Sequence, residues 1–442
     1  MTDDLAALFA RHVEALTIRT DGALAACGFD SLILHAGRAP PVCCEDQHYP
    51  LRALAPFRAW APLQDAPDSI VCLSRGRRPR LVLCTPDDYW HKPPQRPQAY
   101  WTAAFDIDTA PTPDAVRAAL PAGLGRTAII GSPATELASW GVDAINPDAL
   151  MLRLDFGRAV KSAYEIECLR RANRSGVAGH RAALAAFQAG ASEFEIELAF
   201  LGACGLREQE LPYNPIIALN EAGSVLHYQV LEKRPPTEVR SLLIDAGSEF
   251  AGYASDITRT WSREAGDFAA LVSAMDTLQQ RLCAAVAPGV DWRDIHLLAV
   301  REIASLLCEA GILRGSVEAA IDTGAVAAFF PHGIGHLLGL QVHDVGGLQA
   351  GPSGGTIGRP DGHPFLRLTR RLEPGFVVTM EPGLYFIDSL LERLRPTAGG
   401  KLVDWGRVTQ LRPYGGIRIE DNLAITADGH ENLTRQAFDA AT

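Results

Sequence analysis

The sequence predicts an α/β first domain followed by an α+β second domain built from two related halves. Three observations carry this. Short apolar runs at Ser31–His35, Ile70–Leu73, Leu81–Cys84 and Ala128–Ile130 follow an amphipathic helix and are separated by Gly and Pro clusters. From Lys161 the pattern changes to long helices, with a stop at Gly190 and a capping box, Ser192-Glu193-Phe194-Glu195, opening a second helix. The same succession of helix, stop and capped helix returns about 100 residues later, and strand-like segments follow each time. The boundary is expected near residues 150–160, giving a first domain over 1–157 and a second over 158–442.

Composition narrows the class. At 442 residues the chain has room for two or three domains. Hydrophobic residues make up 47% and charged residues 21%, the balance of a soluble globular protein. A net charge of −11 disfavours nucleic acid and anionic membrane as partners. No apolar window reaches the 18 residues that a membrane-spanning helix needs. The acidic start, Met1-Thr2-Asp3-Asp4, lacks the basic region of a signal peptide. Nine Cys are scattered singly, apart from Cys43-Cys44, which reads as reduced core thiols in a cytoplasmic protein rather than a disulfide framework.

In chain order, residues 4–27 form the first helix, with Leu5, Leu8, Phe9, Val13 and Leu16 on one face. The aromatic segments Asp87-Asp88-Tyr89-Trp90-His91 and Tyr100-Trp101 are expected to pack in the core or an interface, and His48 and His91 to be structural. Pro-rich residues 93–97 and 111–113 are loops. The helix from Lys161 to about Gln188 puts Ile166, Leu169, Ala172, Val177 and Leu184 in phase. The later pair runs from Phe268 to Val286, stops at Pro288-Gly289, and resumes after the cap Asp291 through Cys308.

Chemistry concentrates in the strand-like segments of the second domain. Leu242-Leu243-Ile244-Asp245 and Asp256-Ile257-Thr258-Arg259-Thr260-Trp261 read as two strands joined through a Gly-containing turn, each carrying a carboxylate in an apolar run. Asp is depleted in strands and is not left buried without a partner. Phe330-Pro331-His332-Gly333-Ile334-Gly335-His336 places two His four apart, but two glycines argue for a loop rather than a zinc-binding helix. Val377–Met380 leads into Glu381, and Gly416-Ile417-Arg418-Ile419-Glu420-Asp421 is a strand whose alternation puts Arg418 and Glu420 on one face. Four carboxylates and one imidazole make a hard, oxygen-rich set. Such a set suits a pair of divalent ions better than a structural zinc.

Asp245, Asp256, His336, Glu381 and Glu420, in this order and these contexts, resemble the dinuclear metallopeptidases of the pita-bread fold, among them methionine aminopeptidase, aminopeptidase P, prolidase and creatinase. Leu211-Pro212-Tyr213-Asn214-Pro215, Ala218-Leu219-Asn220-Glu221, Val225-Leu226-His227-Tyr228 and Leu340-Gln341-Val342-His343-Asp344 are most similar to the bacterial prolidases, as are Asp88-Tyr89-Trp90-His91 and the insertion between Tyr385 and Gly415. The resemblance implies two divalent ions per subunit, Mn²⁺ before Co²⁺ or Zn²⁺. Asp245 would bind one, Asp256 and Glu420 would bridge, and His336 and Glu381 would hold the other. It also implies a homodimer whose first domain serves dimerisation and as an active-site lid, with Asp46 of the Glu45–His48 turn reaching the partner's site and the substrate ammonium.

The activity this implies is hydrolysis of Xaa-Pro dipeptides to free proline, with organophosphorus esters as a side activity. Glu381 would carry the proton to the proline nitrogen. His343 would donate to the developing oxyanion, with His332 lining the pocket in the catalytic set. His227, Tyr213, Tyr385 and Arg418 would bind substrate. Arg418 has two roles open to it. It would either fork onto the free carboxylate of proline or neutralise the surplus of ligand carboxylates. The alternatives to a dipeptidase are an aminopeptidase P acting on longer peptides, creatinase-like hydrolysis without metal, and a pita-bread binding protein that has lost its metals.

Overall fold

The first helix spans Leu5–Cys27 and buries Leu8, Phe9, Val13, Leu16 and Leu24 along one face, as its apolar spacing dictates. The computed structural model describes residues 5–90, 92 and 94–440. The acidic start through Asp4, the structural His91 and Pro93 of the predicted loop lie outside the described residues. Two compact units divide at Glu165 and Ile166, and the segment Gln349–Gly355 returns to the first unit.

The first unit is built on a six-stranded sheet in the order β4-β3-β2-β1-β5-β6. Its strands are β1 (Ser31–His35), β2 (Ile70–Ser74), β3 (Arg80–Cys84), β4 (Asp106–Ala110), β5 (Thr127–Ile130) and β6 (Ala144–Ile145). Strand β1 pairs antiparallel with β2 and parallel with β5. All five residues of β1 are buried, which is why a nearly unbroken apolar run encodes it. Ile33, Ile70, Val82 and Ile129 meet Val116 and Leu137 in the core of this unit. The edge strands β4 and β6 are absent from the sequence reading, because Asp106-Ile107-Asp108-Thr109 is polar and largely solvated and β6 is two residues long. Trp101 is buried and Tyr100 bonds Tyr164 through their hydroxyls. Tyr89 and Trp90 lie outside the core of this unit: they are 88% and 76% exposed and their rings meet at 4.8 Å, in a segment without helix or strand.

The second unit repeats one succession twice. Helices Ala163–Ala189 and Glu193–Cys204 accompany the strands Ile216–Leu219, Ser241–Asp245 and Thr258–Ser262. Helices Asp267–Ala284 and Trp292–Glu309 accompany Val377–Met380, Asp421–Ile425 and His430–Asn432. Each three-stranded sheet is antiparallel, with Ser241–Asp245 and Asp421–Ile425 at its centre. Ser192 caps its helix in the predicted reciprocal box with Glu195, and Asp291 caps the later one. Two predicted strands are corrected in detail. Asp256 precedes its strand rather than standing in it, and the segment Gly416–Asp421 is two strands, Gly416–Arg418 and one from Asp421, with Glu420 in the break. Among the described residues no helix is long and apolar enough to cross a membrane.

The halves join where Glu420 N–H donates to Thr258 O at 3.0 Å. Beneath this joint lies Asp421, fully buried. Its carboxylate accepts from Arg259 (2.7 Å), Gln279 (2.9 Å), Asn432 (3.0 Å) and Arg435 (2.7 Å). Arg259 also donates to the carbonyls of Thr258 and Glu420, and Gln279 to that of Met380. Burial alone would raise the Asp421 carboxyl, but the Arg259 and Arg435 guanidiniums bring it down to about 2.

Removing a buried carboxylate that holds two guanidiniums should cost about 3–5 kcal/mol. Urea unfolding of Asp421→Asn should register this at neutral pH. The ionic part should fade in the parent protein as pH falls from 3.8 towards about 2, where the folded carboxyl finally protonates. A loss under about 1 kcal/mol, the worth of an exposed pair, would refute the hub.

Candidate metal centre

Each predicted carboxylate ligand stands where a strand ends or breaks, while the backbone nearby stays paired. Asp245 ends its strand opposite Thr258. Asp256 is held at both backbone groups by the Asn422 amide. His336 lies in a loop pressed against the Val377–Met380 strand. There the preceding Gly335 has φ +157°, and a Cβ on it would stand 2.2 Å from Thr379 O. Gly247 is equally confined, with Ser255 O 2.0 Å from a Cβ built there. Only glycine lets these two ligand-bearing turns close.

Asp256, His336 and Glu420 each offer a ligand atom within 4.8 Å of the others, all three buried. His336 Nε2 is 3.4 Å from Asp256 Oδ2 and 3.6 Å from Glu381 Oε1. Its Nδ1 is 3.0 Å from Leu337 O. A carbonyl only accepts, so Nδ1 carries a proton, and in the neutral ring Nε2 presents its lone pair to two carboxylates. That is a repulsive arrangement unless a proton or cation lies between, and it is how a metal-binding His is oriented. The donor set therefore fits divalent cations.

The electrostatics agree. Burial raises Glu420 well above the carboxylate range, reinforced by Asp256, Glu381 and Asp245. Burial brings Glu381 to about 7 despite His336. Asp245 is raised by burial, only partly offset by Arg418. For Asp256 the burial penalty is outweighed by His336, which lowers it. Burial would hold His336 neutral, yet Asp256 and Glu381 raise it. Like charges packed this closely stay protonated in part until cations replace the protons.

Around the ligands, Arg418 donates to Asp245 Oδ2 (2.6 Å), Tyr385 Oη (2.8 Å) and Thr258 Oγ1 (3.1 Å). Tyr213 donates to Asp245 Oδ1 at 2.8 Å. His332 Nδ1 donates to Gly333 O (2.8 Å) and Nε2 accepts from Tyr385 (2.9 Å), which places Nδ1 3.6 Å from Glu381 Oε2. His343 meets His336 edge to face at 4.4 Å and is held near 4 by burial and by His336. His227 is exposed and lies within electrostatic reach of His332 and His343. Thus every predicted site residue of the second unit converges here. Asp46 is exposed on the Pro41–His48 loop of the first unit. The sequence reading missed Thr258, which donates to Glu420 Oε2 at 2.6 Å, as well as Thr379, which accepts from His336 N–H, and Asn422. A polar residue two positions from a ligand in an apolar run is the signal that marks Thr258, Thr379 and Asn422.

Two such halves gathering four carboxylates and an imidazole at one buried joint define a metallohydrolase. Residues 167–427 match the Metallopeptidase family M24, and residues 7–156 match the Xaa-Pro dipeptidase, N-terminal domain. The chain belongs to metallopeptidase family M24. It is 48% identical to a Xanthomonas campestris pv. campestris Xaa-Pro dipeptidase over 99% of both chains. It is 46% identical to one from Stenotrophomonas maltophilia, again over 99% of both. Among solved structures it resembles proline aminopeptidase P II from Yersinia pestis (TM-score 0.71, 26% identity, 96% of each chain). Aminopeptidase P from E. coli shares the fold at 24% identity, with a TM-score of 0.73 over 96% and 95% of the two chains.

A carboxyl that is protonated to about pH 7 when folded, but only to 4.5 in its ordinary state, binds more protons in the folded chain. Its stabilising effect is complete below pH 4.5 and is lost as pH rises through 7. Chelator-treated protein should accordingly melt at progressively lower temperature across that window, and added Mn²⁺ should restore the melting point most at the upper end. A flat pH profile with no response to metal would contradict the site.

Proposed function

We propose that this chain is a metal-dependent Xaa-Pro dipeptidase with two divalent ions, Mn²⁺ first among candidates, held by Asp245, Asp256, His336, Glu381 and Glu420. The observation that carries the reading is His336 Nε2 aimed between Asp256 Oδ2 and Glu381 Oε1. Near-full-length similarity to proteins named Xaa-Pro dipeptidase supports the substrate. Bound divalent ions would supply Lewis acidity towards the scissile carbonyl and lower the pKa of an attacking water.

The protein's own groups do the rest. Glu381 turns Oε1 to His336 and Oε2 towards His332, so Oε2 takes a proton from the attacking water and delivers it to the departing proline nitrogen. His343, neutral at pH 7, donates an N–H to the carbonyl oxygen as charge develops there. His332 commits both nitrogens within the protein, so it acts as a fixed wall of the pocket. Of the two roles open to Arg418, its bond to Asp245 supports neutralising the ligand carboxylates.

The deciding measurement is free proline released from an Xaa-Pro dipeptide beside a matched Xaa-Pro tripeptide. The dipeptide should be preferred, and chelation, Asp256→Ala or Glu420→Ala should abolish turnover. Preference for the tripeptide would favour an aminopeptidase P instead, and full activity without metal would end the dinuclear reading. Arg418→Lys should lower metal occupancy and cut hydrolysis of a dipeptide and its C-terminal amide alike. Selective loss on the free acid would return Arg418 to the substrate carboxylate. We further propose a homodimer in which Asp46, exposed on the first unit, serves the partner's site. A light-scattering mass near one 47.5 kDa chain at micromolar concentration would refute it.

A further inference from the structure

His227 stands at the site on a segment with no helix or strand from Val225 to Leu231, and something must hold it. Asn220–Ser224 forms a short helical turn, after which the chain passes through exposed Val225, His227 and Val230. Such a stretch has few backbone bonds of its own, and its position depends on its anchors.

The anchor is a carboxylate the catalytic reading does not use. Glu193, the first residue of the Glu193–Cys204 helix, is 2% exposed. It leaves the capping of that helix to Ser192 and Glu195. Its Oε1 accepts Leu219 N–H at 2.8 Å. Its Oε2 accepts Tyr228 Oη–H at 2.7 Å and Glu232 N–H at 2.8 Å. Phe194 N–H returns a bond to Glu232 O at 3.3 Å. One side chain thus closes both ends of the loop 219–232, a compact loop whose ends meet, and also grips the residue after His227. A buried carboxylate filled by three donors is a strong, directional clamp. The Tyr228 ring and Leu226 pack against Ile216, Ala218, Leu243 and Tyr385, and Tyr385 in turn bonds Arg418 and His332.

We propose that Glu193 is a positioning residue for substrate binding, clamping the loop 219–232 that carries His227. This rests on reading the site as an Xaa-Pro peptidase, with His227 a substrate contact. A glutamine at 193 has one acceptor oxygen. Its amide nitrogen cannot accept from Tyr228 and Glu232, so one end of the loop is released while the helix keeps its cap.

The test pairs hydrogen exchange with steady-state kinetics on the full-length, metal-loaded protein carrying Glu193→Gln or the milder Tyr228→Phe. Both variants should exchange faster across 219–232, with the ligand segments around Asp245, His336 and Glu420 unchanged. Losing a charge-assisted bond should raise KM for an Xaa-Pro dipeptide about tenfold in Glu193→Gln, with kcat within about twofold. Glu193→Gln added to His227→Ala should raise KM no further than His227→Ala alone. Unchanged exchange in 219–232 overturns the clamp, whatever the activity. Additive KM effects, or a loss seen in kcat or metal content, overturn the positioning role. If Glu193→Gln fails to fold, Tyr228→Phe decides by the same exchange and KM readouts. Absence of Xaa-Pro hydrolysis in the unsubstituted protein would sink the activity reading instead, while exchange would still decide the clamp.

Discussion

Mutual repulsion among Asp245, Asp256, Glu381 and Glu420 is the constraint on which the rest of the second unit depends. Buried carboxylates interact through little water, so their charges cost far more than at the surface. The protein itself answers part of this. Arg418 faces Asp245, and His336 lies between Asp256 and Glu381. Glu420 accepts the Thr258 hydroxyl, and burial keeps it and Glu381 raised. The remaining deficit of positive charge is the physical reason the cluster calls for divalent cations.

Holding such a cluster together requires a stiff frame that still leaves gaps for the ligands. The breaks before Thr258 and after Arg418 supply the gaps. Each break costs ladder bonds, and side chains take their place. Asn422 bonds both backbone groups of Asp256. Arg259 takes the Glu420 carbonyl, and Gln279 that of Met380, next to Glu381. Asp421 gathers Arg259, Gln279 and Arg435 into one buried ionic hub. The same strand therefore carries a ligand outward into the site and, one residue later, the counter-anchor inward.

The chain Arg418–Tyr385–His332–Gly333 gives the second layer its sense of direction. Because Gly333 O only accepts, every proton along it is assigned, and His332 is fixed as a neutral acceptor towards Tyr385. Burial, with Arg418 beside it, keeps His332 near 3, so it does not compete for the proton that Glu381 carries. The loop clamped by Glu193 meets this layer through the packing of Tyr228 and Leu226 near Tyr385.

Sequence alone determined the elements whose physics is local. The first helix, strand β1, the Ser192–Glu195 box and the Asp291 cap follow from periodicity and short-range hydrogen bonding, and each appears close to its expected bounds. The candidate ligands stood out for a related reason: an acidic residue inside an apolar run contradicts its surroundings, and Asp245, Glu381 and Glu420 all do so. What only the tertiary structure decided is who pairs with whom. Arg418 and Asp245 are 173 positions apart, and no local pattern assigns that guanidinium to a ligand rather than to a substrate. The hub at Asp421, the Thr258 hydroxyl and the Glu193 clamp are likewise bonds between distant segments. Their polar residues look ordinary in sequence and become specific only when burial removes the water that would otherwise satisfy them.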